Sequence, residues 1–291
     1  MPTMVELTHF PLTVIFVTSL AAFLAAIEVG HFLGCQVEEG ANVATLEAAV
    51  LGLLALIIGF TFSMALNRFE ARRDALVNEA NAIGTAGLRA RLLPGPYGEE
   101  SLKLFRDYVR IRVSFAEREP TSDEAGQALR RSREIQEGLW RQAQAAAAKD
   151  NAMVPTGLYI QALNESFDNQ QKRSMIISNS VPNIVFVGLY SVAIAALWLT
   201  GYASAIDRRR WRRPTYVACV LVAGVILLIQ DLDRPGAGFI TVSERPMIDT
   251  QQALEGYLTQ SAVPGKEPLT SDGGARAAAG AHRLLQTSPT R

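Results

Sequence analysis

The sequence predicts an all-α membrane protein, with four transmembrane helices and a helical bundle inserted between spans two and three. Three observations carry that reading. Apolar residues are 49% of the 291, but they gather into four blocks, as membrane spans do, instead of spreading along the chain. Charged residues are still 19%, too many for a purely intramembrane chain. The third observation is the stretch Leu46 to Asp74, which has no charge from Ala48 to Leu66 and then runs into Arg68-Phe69-Glu70-Ala71-Arg72-Arg73-Asp74 with no Gly or Pro to stop it. At about 1.5 Å per residue, the uncharged part crosses the roughly 30 Å hydrocarbon core. Span two therefore continues out of the membrane as the stalk helix of the bundle. Basic and acidic residues balance at 28 each, so no bulk field recruits nucleic acid, and none is expected as a partner.

Residues 1–67 read as a transmembrane hairpin with spans at about 11–30 and 46–67. The first ten residues hold Glu6 and His9 but no Lys or Arg. A secretory signal needs a basic start, so the first block reads as a retained span. Pro11 suits a first helical turn, where its missing N–H costs nothing. Ala21, Ala22, Ala25 and Ala26 form a small-residue face open to a neighbouring helix. Glu28 and His31 follow at i, i+3, and Glu47 opens span two at the positive end of the helix dipole. All three lie near one membrane surface, where they form either a proton or metal site or simply a solvated interface.

Residues 68–178 read as a soluble α-helical bundle. Leu76, Ala80, Ile83 and Leu88 keep an apolar stripe along the stalk, with Arg72, Arg73, Asp74 and Glu79 on its other faces. Leu93-Pro94-Gly95-Pro96 ends it. A second helix, Glu99 to Glu117, buries Leu102, Phe105, Tyr108 or Val109, and Val113. Thr121-x-x-Glu124 is a capping box that opens a third, reaching about Lys149. Pro155 opens a fourth through Tyr159, Leu163 and Phe167 toward Lys172. Four such helices with short turns make a bundle. His is absent from residues 32–281, and no phosphate loop, nucleophile–base pair or metal motif occurs; neither an enzyme nor a cofactor is expected.

Residues 179–232 form the second hairpin, with spans at about 181–200 and 214–230. Asn179 or Ser180 caps the first of them, and the second ends abruptly in Gln230-Asp231-Leu232-Asp233. Between the spans lie Arg208, Arg209, Arg210, Arg212 and Arg213. Residues 233–260 hold a short helix, Ile248 to Leu258, and 261–291 read as a disordered tail rich in Gly, Ala, Ser, Pro and Thr. Four crossings put both termini and the bundle on one side. Seven basic flanks on that side against five in the arginine loop favour a cytoplasmic bundle, although a dense short-loop cluster pulls the other way.

In either orientation, spans two and four end at the same level. Asp231, Asp233 and Arg234 therefore meet Arg68, Arg72 and Arg73, and carboxylate–guanidinium pairing is expected to lock span four to the stalk. Cys35 and Cys219 share the opposite level, where a disulfide is conceivable in an oxidising compartment.

The segments around Glu47–Pro94, Val154–Asp168 and Leu227–Pro246, above all DLDRP followed by Gly-x-Ile-x-Val-Ser, resemble the bacterial bestrophin-like domain proteins over roughly residues 40–260. Those proteins are distantly similar to bestrophins, which are oligomeric anion channels lined by their second span. That resemblance implies a homo-oligomer in the bacterial inner membrane and a pore face of Leu53, Ile57, Phe60, Met64 and Asn67. It also implies Arg68 and Arg72 at the mouth and an inorganic anion such as chloride as the permeant. The stripe is also the pattern of ordinary helix packing. Bestrophins bind calcium through a dense acidic cluster after the last span, and this chain keeps only Asp231 and Asp233. The function class competing with a channel is a non-conducting scaffold or sensor whose bundle binds a protein partner.

Overall fold

The structure, a computed structural model, describes residues 11–36, 43–114, 122–151, 153–206, 213–235 and 238–261. Its regular elements, among the described residues, are all helices: α1 (Leu12–Gly34), α2 (Ala44–Ala90), α3 (Tyr97–Ser114), α4 (Ser122–Lys149), α5 (Leu158–Ile177), α6 (Asn183–Ile206), α7 (Arg213–Asp233) and α8 (Arg245–Ser261). A wide turn, Met153–Gly157, precedes α5 and breaks helical geometry at Val154, ahead of Pro155. Thr121, most of the arginine loop and nearly all of the tail lie outside the described residues.

Four helices are long and apolar enough to cross a membrane: α1, the first half of α2, α6 and α7. α2 is one unbroken helix of 47 residues, about 70 Å long, so the membrane layer and the bundle share an axle. Leu93-Pro94-Gly95 ends it where the sequence places the break. α7 is longer than its apolar block, because Gln230-Asp231-Leu232-Asp233 form its last turn instead of ending it early.

Two cores follow. In the membrane layer, Phe23 and Ile27 of α1 pack with Leu189, Ala193 and Leu197 of α6, and with Ile226 and Ile229 of α7. α1 and α6 approach closely, but not through the predicted alanines: Ala21, Ala22 and Ala25 are exposed. The approach uses Gly30, Gly34 and Gly201. A Cβ on Gly30 would run into the Trp198 carbonyl, one on Gly34 into that of Tyr202, and one on Gly201 into that of Ile27. This is the small-residue packing that lipid, which offers no hydrophobic drive between helices, favours.

The bundle core joins Leu76, Ala80, Ile83, Ala86 and Ala90 of α2 to Leu102, Phe105, Tyr108 and Val109 of α3, Leu139 and Ala143 of α4, and Tyr159 and Leu163 of α5. Leu88, predicted on the apolar stripe, is exposed; Gly87 takes the buried position, against Leu254. Met247 and Leu254 of α8 belong to the same core, so five helices, not four, complete the bundle. α6 begins at Asn183, after Pro182, so neither Asn179 nor Ser180 is its cap.

Candidate functional site

α2 carries most of the candidate site. Along its membrane half, Leu53, Phe60, Met64 and Asn67 are exposed, while Ile57 is half-buried toward the membrane core. Phe60 is 67% exposed. Only 17% of this span is buried, against 33–39% for the other three. Leu54, Thr61 and Ala65 face inward instead, and the Thr61 hydroxyl donates to the Ile57 carbonyl at 2.7 Å, so this buried polar group is satisfied within its own helix.

Where α2 leaves the membrane it meets the end of α7, and the contact differs in kind from the expected ion pair. Arg72 is buried, and its guanidinium donates to two backbone carbonyls at the end of α7, Asp233 O at 3.0 Å and Leu232 O. Those carbonyls have no partner within the helix, and a cation beside them also complements the helix dipole. The carboxylates take backbone donors. Asp233 accepts Val181 N–H on both oxygens at 3.0 Å, which ties α7 to the residues entering α6. Asp231 accepts Phe239 N–H at 2.8 Å and Ile240 N–H at 3.1 Å. A Cβ at Gly238 would strike Asp231 Oδ1, which explains the glycine of the Gly-x-Ile stretch. Arg68 is half-buried and acts on Asp233 through charge alone, Arg73 is exposed, and Arg234 is buried. The junction is a backbone clasp whose two carboxylates already bind amide donors.

A second polar cluster, built on the Glu79 that the sequence places away from the apolar stripe, lies in the bundle. Glu79 is fully buried. Its Oε1 accepts the Tyr108 hydroxyl at 3.1 Å; its Oε2 accepts Arg112 at 3.1 Å and Arg173 at 2.9 Å. Arg173 also reaches Glu244 Oε1, just before α8, at 2.8 Å. The cluster therefore ties α2, α3 and α5 to the α8 segment. Burial, and then Glu79, push the Tyr108 phenol well above its ordinary value. Burial opposes the charge on Arg112, but Glu79 and Tyr108 more than restore it. Burial pushes the Glu244 carboxyl up, against the pull of Arg173 and Arg112. The signal was in the sequence: Arg72 and Glu79 sit four before and three after Leu76, on the buried stripe itself.

The third predicted group is not brought together. Glu28 accepts the Tyr216 hydroxyl of α7 at 2.6 Å, His31 faces Ser204 of α6, and Glu47 stands at the start of α2. Among the described residues no three His, Cys, Asp or Glu side chains could hold a metal ion. Cys35 is exposed and Cys219 buried, both as free thiols, so no disulfide joins them.

A helical chain with four membrane-length spans, one of which becomes the axle of a bundle, is an integral membrane protein. The chain belongs to the bestrophin-like domain family, whose model matches residues 15–247. In fold it is similar to crystal structures of a bacterial bestrophin homolog from Klebsiella pneumoniae. One of these, a single-residue variant, is 13% identical with a TM-score of 0.63, covering 86% of this chain and 99% of that one. Another is 12% identical with a TM-score of 0.63, covering 85% and 98%. A further structure, described only as a membrane protein, is 13% identical with a TM-score of 0.64, covering 85% and 98%. No curated protein matches the chain.

Proposed function

We propose that the protein is a passive anion channel of the inner membrane, assembled from several copies around span two, with its helical bundle in the cytoplasm. The observation that carries this reading is the bare face of α2. In one copy, Leu53, Phe60 and Met64 stand exposed, while α6 and α7 pack against the opposite face of α2 and α1 packs on α6 and α7. Repeated around an axis, such a face makes an apolar constriction that closes by dewetting. Arg72 is committed to α7, so the charge at the mouth comes from Arg68, half-buried, and Arg73, exposed. The two clasp carboxylates are occupied by amide donors, which argues for a junction held without calcium.

The test is the mass of the purified particle together with chloride flux from proteoliposomes. A closed ring with flux that Phe60→Glu alters, at unchanged mass, supports a pore along α2. A monomer or dimer without flux overturns it.

The scaffold reading also has an observation behind it. An open cleft of about 500 Å³ lies between α4 and α5, lined by Gln136, Trp140, Phe167 and Gln170 among others. An aromatic floor with amide rims is a surface that suits a protein partner.

A further inference from the structure

The outer turn of α1 ends on a thiol and an imidazole that neither the proposed pore nor the helix packing uses. Cys35 stands one turn after His31, and its backbone N–H bonds the His31 carbonyl at 3.0 Å, so both side chains leave the same face. Cys35 Sγ is 3.6 Å from His31 Nε2. At the other edge of the ring, Nδ1 is 3.3 Å from Ser204 Oγ on α6. The Ser204 proton is already spent, because that hydroxyl donates to the Gly201 carbonyl at 2.6 Å. Ser204 can therefore only accept from the ring. The hydrogen of the neutral imidazole lies on Nδ1, and Nε2 turns a lone pair toward the thiol.

The relay from Gly201 through Ser204 to His31 is anchored in the close α1–α6 contact, where Gly30, Gly34 and Gly201 leave no room for a Cβ. Cys35 itself is exposed at the end of α1, whereas Cys219 is fully buried. One chain thus holds two thiols in opposite settings, and Cys35 is the one that has an imidazole beside it among the described residues.

We propose that Cys35 is a reactive thiol, with His31 as its base and Ser204 positioning that base, and that it takes small disulfides as co-reactants. His31 Nε2 accepts the thiol proton as Cys35 Sγ attacks one sulfur of the disulfide. The Cys35–S bond forms and the co-reactant's S–S bond breaks. The imidazolium then passes the proton to the released thiolate, or to water where that thiolate is a weak base, leaving a mixed disulfide on Cys35 and one released thiol or thiolate. Cys35 is oxidised and the departing sulfur reduced, so electrons and protons balance with no further reagent. The site depends on the α1–α6 pair alone and stands whether or not α2 lines a pore.

The test uses the full chain in detergent and an aromatic disulfide whose released thiolate is coloured. One thiol per folded chain should react, and Cys35→Ser should abolish the reaction. His31→Gln should slow it roughly ten-fold, less than a buried general base contributes because this pair is open to water. Ser204→Ala should slow it too, while Ser204→Thr, which keeps the hydroxyl, should retain the rate; a purely structural role would not separate those two. Reaction at an unchanged rate in His31→Gln overturns the proposal, as does modification of Cys219 instead of Cys35. If His31→Gln alters the particle on size exclusion, the Ser204 pair decides: equal rates in Ala and Thr overturn the assignment.

Discussion

The two halves of α2 are one continuous helix in opposite surroundings. The membrane half is almost wholly apolar and mostly uncovered; the bundle half carries Arg72 and Glu79, and both are buried. Composition alone would predict the reverse. The difference shows that one copy of the chain completes its bundle but not its span two. In the bundle, α3 and α5 supply the donors for Glu79, and the end of α7 supplies the carbonyls that accept from Arg72. In the membrane, Leu53, Phe60 and Met64 stand exposed among the described residues, where lipid or further copies can cover them.

The largest effect should come from breaking the covered half. Glu79→Ala leaves the buried Arg173 and the half-buried Arg112 with their shared partner gone, and the loss of one side of such a cluster costs about 3–5 kcal/mol. Thermal unfolding of the detergent particle should show the midpoint fall by many degrees. Phe60→Ala, on the uncovered half, should leave the midpoint of a dissociated single chain nearly unchanged. Similar shifts for the two would erase the contrast between the halves.

Next in size is the contact that holds the membrane layer without any charge. Gly201→Val would place side-chain atoms in the Ile27 backbone, which cannot give way as a flexible side chain could. Overpacking of this kind costs about 1–3 kcal/mol, and a backbone obstacle puts it at the upper end. Gly188→Val on the same helix meets open space and serves as the control. Equal midpoints for these two variants would show that the close approach of α1 and α6 contributes nothing.

Much of this was legible from the chain. The four spans, the unbroken passage of α2 from lipid to bundle and the break at Leu93-Pro94-Gly95 follow from charge-free length and from turn residues, both local signals. What escaped was carried by partners far away in sequence. Periodicity puts Glu79 on the buried stripe with Leu76 and Ile83, but a lone carboxylate there reads as a misfit until Arg112 and Arg173 arrive from α3 and α5. Asp231 and Arg72 were placed at the right height, yet charge complementarity suggested that they pair. The geometry gives both to backbone groups instead, because helix ends and the tight Gly238 loop leave amides and carbonyls unsatisfied. The Gly30-x-x-x-Gly34 spacing stood in the open, passed over in favour of four neighbouring alanines. The fold was written in local pattern; the site was written in distant pairings.

The covered half can also be probed without breaking it, through pH. Burial pushes the Tyr159 phenol up to about 12 from its ordinary 10.0. The folded chain therefore holds that proton after the unfolded chain has lost it, so this contribution is complete below pH 10 and is lost as pH rises through 12. Each pKa unit corresponds to about 1.36 kcal/mol, so roughly that much has gone by pH 11. Urea unfolding followed from pH 9 to 11 should show the fall, and Tyr159→Phe should lessen it, leaving the share that the likewise raised Tyr108 contributes. A slope unchanged in Tyr159→Phe would assign the alkaline loss to another group.

The smallest effect is expected where distance alone would suggest a large one. Lys103 Nζ lies 2.9 Å from both Glu99 and Glu100, the same separation as Arg173 from Glu79. The Lys103 triad stands on the water-facing side of α3, however, where solvent screens it and three long side chains must be ordered to make it. Lys103→Ala should leave the unfolding midpoint within experimental scatter at physiological salt, and added salt should not change that. Arg173→Ala, which removes a contact of equal length, should lower the midpoint strongly and insensitively to salt, because Glu79 and Glu244 lose a donor that water cannot replace. If the two variants behave alike, burial does not decide what a charge on these helices is worth, and the difference between the halves of α2 loses its physical basis.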